Sequence, residues 1–293
     1  CFRSDKSPVS LRNAANILKI VFLDVHQGDA AFIITPSSKT ILVDGGPGRG
    51  TIIDSEGSMV SDFNAGEAVV LPYLAKLGIT RIDYLIVTHP HYDHYGGLIS
   101  VVKSTAVTVG LAYVPHIRCD DPNYCEFIFA LQARQIEFTN PPVQGDVPLD
   151  PGIKIRFITQ NPVLLNSEVD YNNASIVFKL IDNKISVLFT GDIEQATELD
   201  LVSTLNDLKA TILKAPHHGS ATSSTTPFLD AVQPQVVVIS CGRKNEFGHP
   251  HETVMARYRQ YKLDEYRTDE DGTVTVYTDG QKYEIGQERW FKE

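Results

Sequence analysis

The chain has nine histidines, and seven of them fall in three tight groups: His89, His91 and His94; His217 and His218; His249 and His251. Imidazole nitrogens and carboxylate oxygens are the usual protein ligands of zinc and of harder divalent ions such as manganese. The first group offers both donor types, in Thr88-His89-Pro90-His91-Tyr92-Asp93-His94-Tyr95-Gly96-Gly97. It follows the apolar run Tyr84-Leu85-Ile86-Val87, which reads as a short buried strand, so the donors leave a rigid sheet edge. Side chains two apart on extended chain share a face, which aims His89 and His91 the same way. Asp93 and His94 begin the turn into a helix and point at a neighbouring position. Four ligands on six residues suit two adjacent cations, zinc or manganese. Packing gives no comparable account of such a cluster.

Around His217 and His218, the residues Lys214, Ser220, Thr222, Ser223 and Ser224 offer donors suited to phosphate oxygens. Each has a plainer reading. Ser223 and Ser224 also fit a helix cap or solvated loop, and Lys214 an exposed charge at a strand end. His217 or His249 would protonate a leaving alkoxide, although His249 also fits as a residue capping or packing the helix that follows it. Asp44 reads as a group that orients a ligand rather than as a ligand itself. His26 and His116 read as ordinary polar residues, and no spaced aromatic ladder is evident.

Mixed elements must position these residues. Strand-like runs cover 17–25, 30–35, 40–43 and 83–87, with a helix over 65–77 stopped by Gly78 and another over 96–102. Further strands cover 154–158, 175–181, 185–189, 210–214 and 236–240, with helices over 193–205 and 252–261. Runs at 273–278 and 282–285 form a hairpin around Asp279-Gly280. This alternation lacks the regular period of a βα barrel or a dinucleotide-binding fold. Two mixed sheets covered by helices accommodate it, an α/β class.

Composition sets the outer bounds. With 42% hydrophobic and 21% charged residues, the 293-residue chain is globular rather than disordered. Its net charge of −10 counts against a module that reads DNA through a basic face. No apolar run approaches the roughly 20 residues that span a bilayer. Residues 1–16 read as an N-terminal tether and residues 17–293 as a single domain. Cys1 reads either as the lipid-bearing cysteine of a mature bacterial lipoprotein or as a fragment edge. Cys119 and Cys125 flank a turn-rich segment and form either a small disulfide loop or two free thiols; a bridge would fit an extracytoplasmic location.

The segment His89-x-His91-x-Asp93-His94-x-Gly96-Gly97 resembles the signature of the metallo-β-lactamase superfamily. Ile41-Leu42-Val43-Asp44-Gly45-Gly46, Leu188-Phe189-Thr190-Gly191-Asp192 and Lys214-Ala215-Pro216-His217-His218-Gly219-Ser220 resemble its later landmarks, in order. The finer likeness is to the ComEC-like branch, the hydrolase domain of DNA-uptake proteins and its stand-alone relatives. Phe22-Leu23-Asp24-Val25-His26-Gln27-Gly28-Asp29-Ala30 resembles that branch's opening strand and turn, with His26 where a glycine is usual. Ala65-Gly66-Glu67, Leu71-Pro72-Tyr73-Leu74, Phe247-Gly248-His249-Pro250-His251 and Tyr266-Arg267-Thr268-Asp269-Glu270-Asp271-Gly272 extend the likeness over most of the chain.

The resemblance implies an αββα sandwich with a dinuclear metal site along one edge. It assigns His89 and His91 to one metal, Asp93, His94 and His218 to the other, and Asp192 to both. His218 is preferred over His217 by its place after Pro216, with the swapped assignment left open. Many members supply a further histidine before the Gly-Asp strand; here Asn172-Asn173-Ala174-Ser175 stands in that stretch, and Asn173 or water would complete the first metal. The implied enzyme is a metal-dependent phosphodiesterase or nuclease with Asp93, His217 and His249 at the reacting centre. Asp44, Asn173, Lys214, Ser220 and Ser223 would support the ligands or bind substrate. The cofactors would be two divalent ions, Zn or Mn, and the substrate a phosphodiester such as single-stranded DNA. Two alternatives compete: a β-lactamase or other amide or ester hydrolase, and a non-catalytic DNA-uptake component with a structural metal.

Overall fold

The computed structural model describes residue 11 and residues 16–49, 63–115, 122–142, 144–158, 170–204 and 207–289. Most of the expected tether, with Cys1, lies outside the described residues, as do His116 and Cys119. Cys125 is disulfide-bonded, and Cys241 is a buried free thiol.

Two mixed sheets form the centre. The first is built from β1 (Leu18–Phe22), β2 (Ala31–Ile34), β3 (Thr40–Val43), β4 (Arg81–Ile86), β5 (Thr108–Tyr113), β6 (Glu137–Thr139), β14 (Thr273–Thr278) and β15 (Tyr283–Glu288). Its order is β15-β14-β1-β2-β3-β4-β5-β6. The second is built from β7 (Asp146–Asp150), β8 (Ile153–Ile158), β9 (Val177–Asp182), β10 (Ile185–Phe189), β11 (Ile212–Lys214), β12 (Val236–Ile239) and β13 (Asp264–Arg267), in the order β13-β12-β11-β10-β9-β8-β7. Each sheet is antiparallel on one side and parallel on the other: the pairs β3–β4–β5–β6 and β10–β11–β12–β13 run parallel.

Strand alternation sorts the apolar residues into layers. Ile20, Phe22, Ile33, Ile41 and Ile86 meet Ile155, Phe178, Leu180, Val187 and Val236 between the sheets. On the outer face of the first sheet, Val21, Phe32, Leu42 and Leu85 pack under α1 (Leu71–Lys76), α2 (Tyr92–Lys103) and α3 (Pro122–Ala133). On the outer face of the second, Leu188, Leu213 and Val237 pack under α4 (Gln195–Thr204), α5 (Thr226–Val232) and α6 (Glu252–Gln260). The result is the expected αββα sandwich. No described helix is long and apolar enough to cross a membrane.

Two glycines set the approach of the site's loops. A Cβ on Gly97 would lie 2.1 Å from the Gly45 carbonyl oxygen, so α2 seats against the turn after β3 only without a side chain there. The helix expected over 96–102 starts instead at Tyr92 and runs through Gly96-Gly97, with His91 as its N-cap. Gly28 has φ +132° and would place a Cβ 2.2 Å from the Asp93 carbonyl oxygen, which brings the loop after β1 onto the same turn.

Candidate metal centre

The site gathers at the C-terminal ends of parallel strands from both sheets. Thr88 and His89 follow β4, Asp93 and His94 sit in the first turn of α2, Asp192 follows β10, and His217 and His218 follow β11. The centre of the cluster is Asp192 Oδ2, which lies 3.2 Å from His218 Nε2 and 3.3 Å from His94 Nε2. His89 Nε2 and His217 Nε2 both stand at 3.9 Å from it. Asp93 Oδ2 lies 3.3 Å from His218 Nε2 and 3.8 Å from His94 Nε2.

Each of the three buried histidines has its other nitrogen occupied. His94 Nδ1 is 2.9 Å from Asp44 Oδ2, and His218 Nδ1 donates to the Ser240 carbonyl at 2.9 Å. Thr88 Oγ1 gives its proton to Asp44 Oδ2 and therefore accepts from His89 Nδ1 at 3.1 Å. A donor at Nδ1 turns the Nε2 lone pair inward, the arrangement that orients metal-binding histidines. Nε2 of His89, His94 and His218 and Oδ1 of Asp192 are buried and have no hydrogen-bond partner. Three orphaned imidazole nitrogens aimed at one carboxylate, whose own Oδ1 has no partner, fit a divalent cation, and Asp93, His94, Asp192 and His218 lie close enough to hold one.

The electrostatics agree. Burial works against charge on His94 and His218, but the surrounding carboxylates, Asp192 first with Asp93 and Asp44 around His94 and Asp29 at His218, together outweigh it and hold both imidazoles well above the ordinary range. Burial also opposes ionisation of Asp192, yet His218 and His94 hold its carboxyl well below the usual range. His89 is pushed well down, chiefly by burial.

Several expected residues have other work. Lys214 is buried, with Nζ 2.8 Å from Asp29 Oδ2 and donating to the Ala215 carbonyl at 2.9 Å. It is neither a phosphate donor nor an exposed charge; through Asp29, whose Oδ1 lies 3.4 Å from His218 Nδ1, it backs a site histidine. Burial would raise the Asp29 carboxyl, but Lys214 and His218 bring it down to about 2. Asn173 is also committed: Oδ1 accepts from the Glu194 and Thr197 amides ahead of and within α4, and Nδ2 donates to Asp170 at 2.6 Å. It has no donor left for a cation. Ser223 Oγ donates to the Ile193 carbonyl, and Ser224 Oγ pairs with the Tyr258 hydroxyl, both buried, so these serines tie loops together. Ser220 Oγ pairs with Thr222 Oγ1, which donates to Glu194 Oε1. Asp44 accepts from the Thr88 amide and hydroxyl and lies 2.9 Å from His94 Nδ1.

The open side of the cluster is bordered by His91, His217 and His249. The His91 ring lies 4.7 Å from that of His89 and 5.8 Å from Tyr171. The His249 ring lies 5.4 Å from His217, and burial with the neighbouring His218 and His217 pushes it down to about 4. Phe247, 60% exposed, stacks on His249 at 5.7 Å. The sequence reading gave no role to Asp29, Thr88, Glu194, Ser240 or the Phe247 ring. Thr88, Phe247 and Asp29 all stand inside motifs that carry the resemblance, and Asp29 follows Gly28 in a turn.

A sequence model of the family described as the metallo-beta-lactamase superfamily matches residues 23–243. The chain belongs to this superfamily. Among curated relatives, ComE operon protein 3 of Bacillus subtilis is 26% identical over 87% of the chain and 32% of its own length. Recombination protein 2 of Haemophilus influenzae is 33% identical over 91% of the chain and 30% of its own length. Competence protein ComA of Neisseria gonorrhoeae is 28% identical over 72% of the chain and 27% of its own length. These matches agree with the ComEC-like branch, and the chain spans about a third of the length of such relatives. The superfamily fold is shared with YhfI of Bacillus subtilis, with a TM-score of 0.50 at 12% identity over 85% of this chain and 95% of that one.

Proposed function

We propose that residues 17–293 of this superfamily hydrolase act as one metal-dependent phosphodiesterase or nuclease domain. The observation that carries the reading is the convergence of unpaired, buried Nε2 atoms on Asp192 beneath an open mouth. His89 and His91 would hold one divalent ion and Asp93, His94 and His218 the other, with Asp192 between them; zinc and manganese both suit this set of nitrogens and oxygens. Such ions supply an acidified water as nucleophile and positive charge that offsets the phosphate's own.

The chain's own residues do the rest. Asp44, Thr88 and Ser240 fix the tautomers of the ligating histidines, so no reorganisation accompanies binding. His249 and Phe247 face the side where a leaving nucleoside would emerge, and the exposed Phe247 ring offers a stacking surface for a base. The competence names of the relatives favour DNA as the diester. The disulfide at Cys125 favours an extracytoplasmic location.

The test is an assay of the Mn- or Zn-loaded chain against single-stranded DNA, bis-p-nitrophenyl phosphate and a chromogenic cephalosporin. Metal-dependent cleavage of both diesters with the cephalosporin intact is expected. Cephalosporin hydrolysis with both diesters untouched would overturn the proposal in favour of an amide hydrolase. Metal uptake with no turnover of any substrate would leave a structural site.

A further inference from the structure

A cavity of about 10 Å³ lies between the sheets at their strand ends. It sits on the Nδ1 side of His94 and His218, whereas Asp192 faces their Nε2 atoms. Its volume is the room that one water molecule needs. Asp29, Asp44, Thr88, Lys214 and Ser240 form its polar lining. The rings of Phe22 and Phe189, 5.7 Å apart, complete the wall without offering a hydrogen bond. We infer that one ordered water molecule is bound here, donating to Asp29 and Asp44 and accepting from Ser240 and Lys214.

The lining holds buried polar groups that need such a partner. Asp29 Oδ1 and Ser240 Oγ have no hydrogen-bond partner, although these residues are only 7% and 1% exposed. Ser240 keeps its hydroxyl for the cavity because its carbonyl, not its side chain, accepts from His218 Nδ1. The Lys214 ammonium has three hydrogens. Asp29 Oδ2 takes one at 2.8 Å and the Ala215 carbonyl another at 2.9 Å, which leaves the third for the cavity. A buried donor or acceptor left unmade costs more than an ordinary hydrogen bond gains.

The spacing suits a water. Asp29, Asp44 and His94 each bring a polar atom within 4.8 Å of the others. Two hydrogen bonds of about 2.8 Å at a water's near-tetrahedral angle span about 4.5 Å, so one molecule reaches both carboxylates. Its two hydrogens separate like charges, and its lone pairs meet Ser240 and Lys214. A divalent cation satisfies the spacing but not the partners. Asp44 already accepts from the Thr88 amide at 2.8 Å and the Thr88 hydroxyl at 2.7 Å. His94 Nδ1, 2.9 Å from Asp44 Oδ2, donates there and has no lone pair to give. The Lys214 ammonium lines the same space, where a dipole fits and a second cation is repelled.

The water joins two supports of the metal centre. Asp44 stands behind His94, and Asp29 Oδ1 lies 3.4 Å from His218 Nδ1. Asp29 and Asp44 belong to loops of the first sheet, Lys214 and Ser240 to the ends of β11 and β12 in the second. One molecule thus links the carboxylates behind two site histidines and spans both sheets.

High-resolution crystallography of the metal-free full chain tests this directly. One peak is expected, with Asp29 Oδ1, an Asp44 oxygen, Ser240 Oγ and Lys214 Nζ at about 2.6–3.2 Å. Ser240→Ala gives a second readout, because it removes the hydroxyl and spares the carbonyl that holds His218. A hydroxyl bonded to a water stabilises the fold, whereas deleting an orphaned one is neutral or favourable. The metal-free variant should therefore melt roughly 1–6 °C below wild type in calorimetry. A cavity without density, or a peak with oxygen ligands at about 2.0–2.6 Å as a cation would show, overturns the inference. So does a Ser240→Ala chain that melts at or above wild type. If that variant does not fold, the wild-type density decides alone. Both measurements are made without metal or substrate, so their failure leaves the phosphodiesterase reading untouched.

Discussion

Replacing Lys214 with methionine tests a buried lysine that backs the candidate metal centre. Its ammonium and the Asp29 carboxylate are 4% and 10% exposed and 2.8 Å apart. Methionine keeps the bulk of the stem but removes the charge. Breaking a buried ion pair from one side costs about 3–5 kcal/mol, because the remaining charge loses its partner while still out of water. For a chain of this size each kcal/mol moves the midpoint by about 2–4 °C, so Lys214→Met should melt roughly 6–20 °C lower. Asp29→Asn/Lys214→Met should recover most of the loss, since no charge is then stranded. The pH dependence has a definite sign. In the wild type the Asp29 carboxyl lies at about 2, below its ordinary 3.8, so its contribution is complete above pH 3.8 and is lost as pH falls through 2. Without Lys214, burial acts against a weaker opposition and the folded-state value rises. The variant then loses less than wild type on acidification, and its deficit narrows. Urea unfolding of the metal-free proteins at pH 7.5 and pH 3.5, followed by circular dichroism, measures both quantities. A deficit below about 1 kcal/mol at pH 7.5, or one that widens at pH 3.5, would refute this account of Lys214.

Asp192→Asn should abolish tight divalent-metal uptake altogether, because the residue faces four imidazole nitrogens; equilibrium dialysis with elemental analysis checks it. Gly97→Ala should destabilise the chain by about 1–3 kcal/mol in denaturant titrations, since its methyl would strike the Gly45 carbonyl. The Cys241 thiol, pushed up to about 12 chiefly by burial, should resist alkylation in the native protein at pH 8 and label fully in unreduced urea, where disulfide-bonded Cys125 stays unlabelled. Phe247→Ala should raise KM for a short single-stranded DNA several-fold and leave KM for an abasic analogue near wild type, read from initial rates.

The core of the centre was legible because its spacing is local. His89 to Gly97 leave one strand and enter one helix, so a nine-residue window holds both the donors and the glycines that seat them. The α2 start was misread because Gly96-Gly97 look like a helix boundary, whereas their lack of side chains serves the contact with the 45–48 turn. The partner of Lys214 was not legible for a different reason. Asp29 lies in the loop before β2 of the other sheet, and nothing in either local sequence announces a pairing that only the sandwich creates. Asn173 looked like a ligand substitute because its role depends on where α4 begins, a boundary that its own side chain helps to set. Strands β5, β6, β7 and β13 and helices α3 and α5 were not singled out. The two sheets that these strands complete, each with its change from antiparallel to parallel pairing, follow from crossovers that no short pattern encodes.

The donors come from both sheets: His89, Asp93 and His94 belong to the end of β4 and the start of α2, while Asp192 and His218 belong to β10 and β11. An ion bound among them is therefore a clasp across the seam of the sandwich. The core between the sheets is apolar and non-directional, and by itself it would tolerate small sliding of one layer over the other. A coordinated cation does not, since its ligand distances are narrow. Its binding free energy thus sets the registry of the two layers, and chelation should release that registry first at the strand ends around Asp44, Thr88 and Ser240, ahead of any loss of the fold.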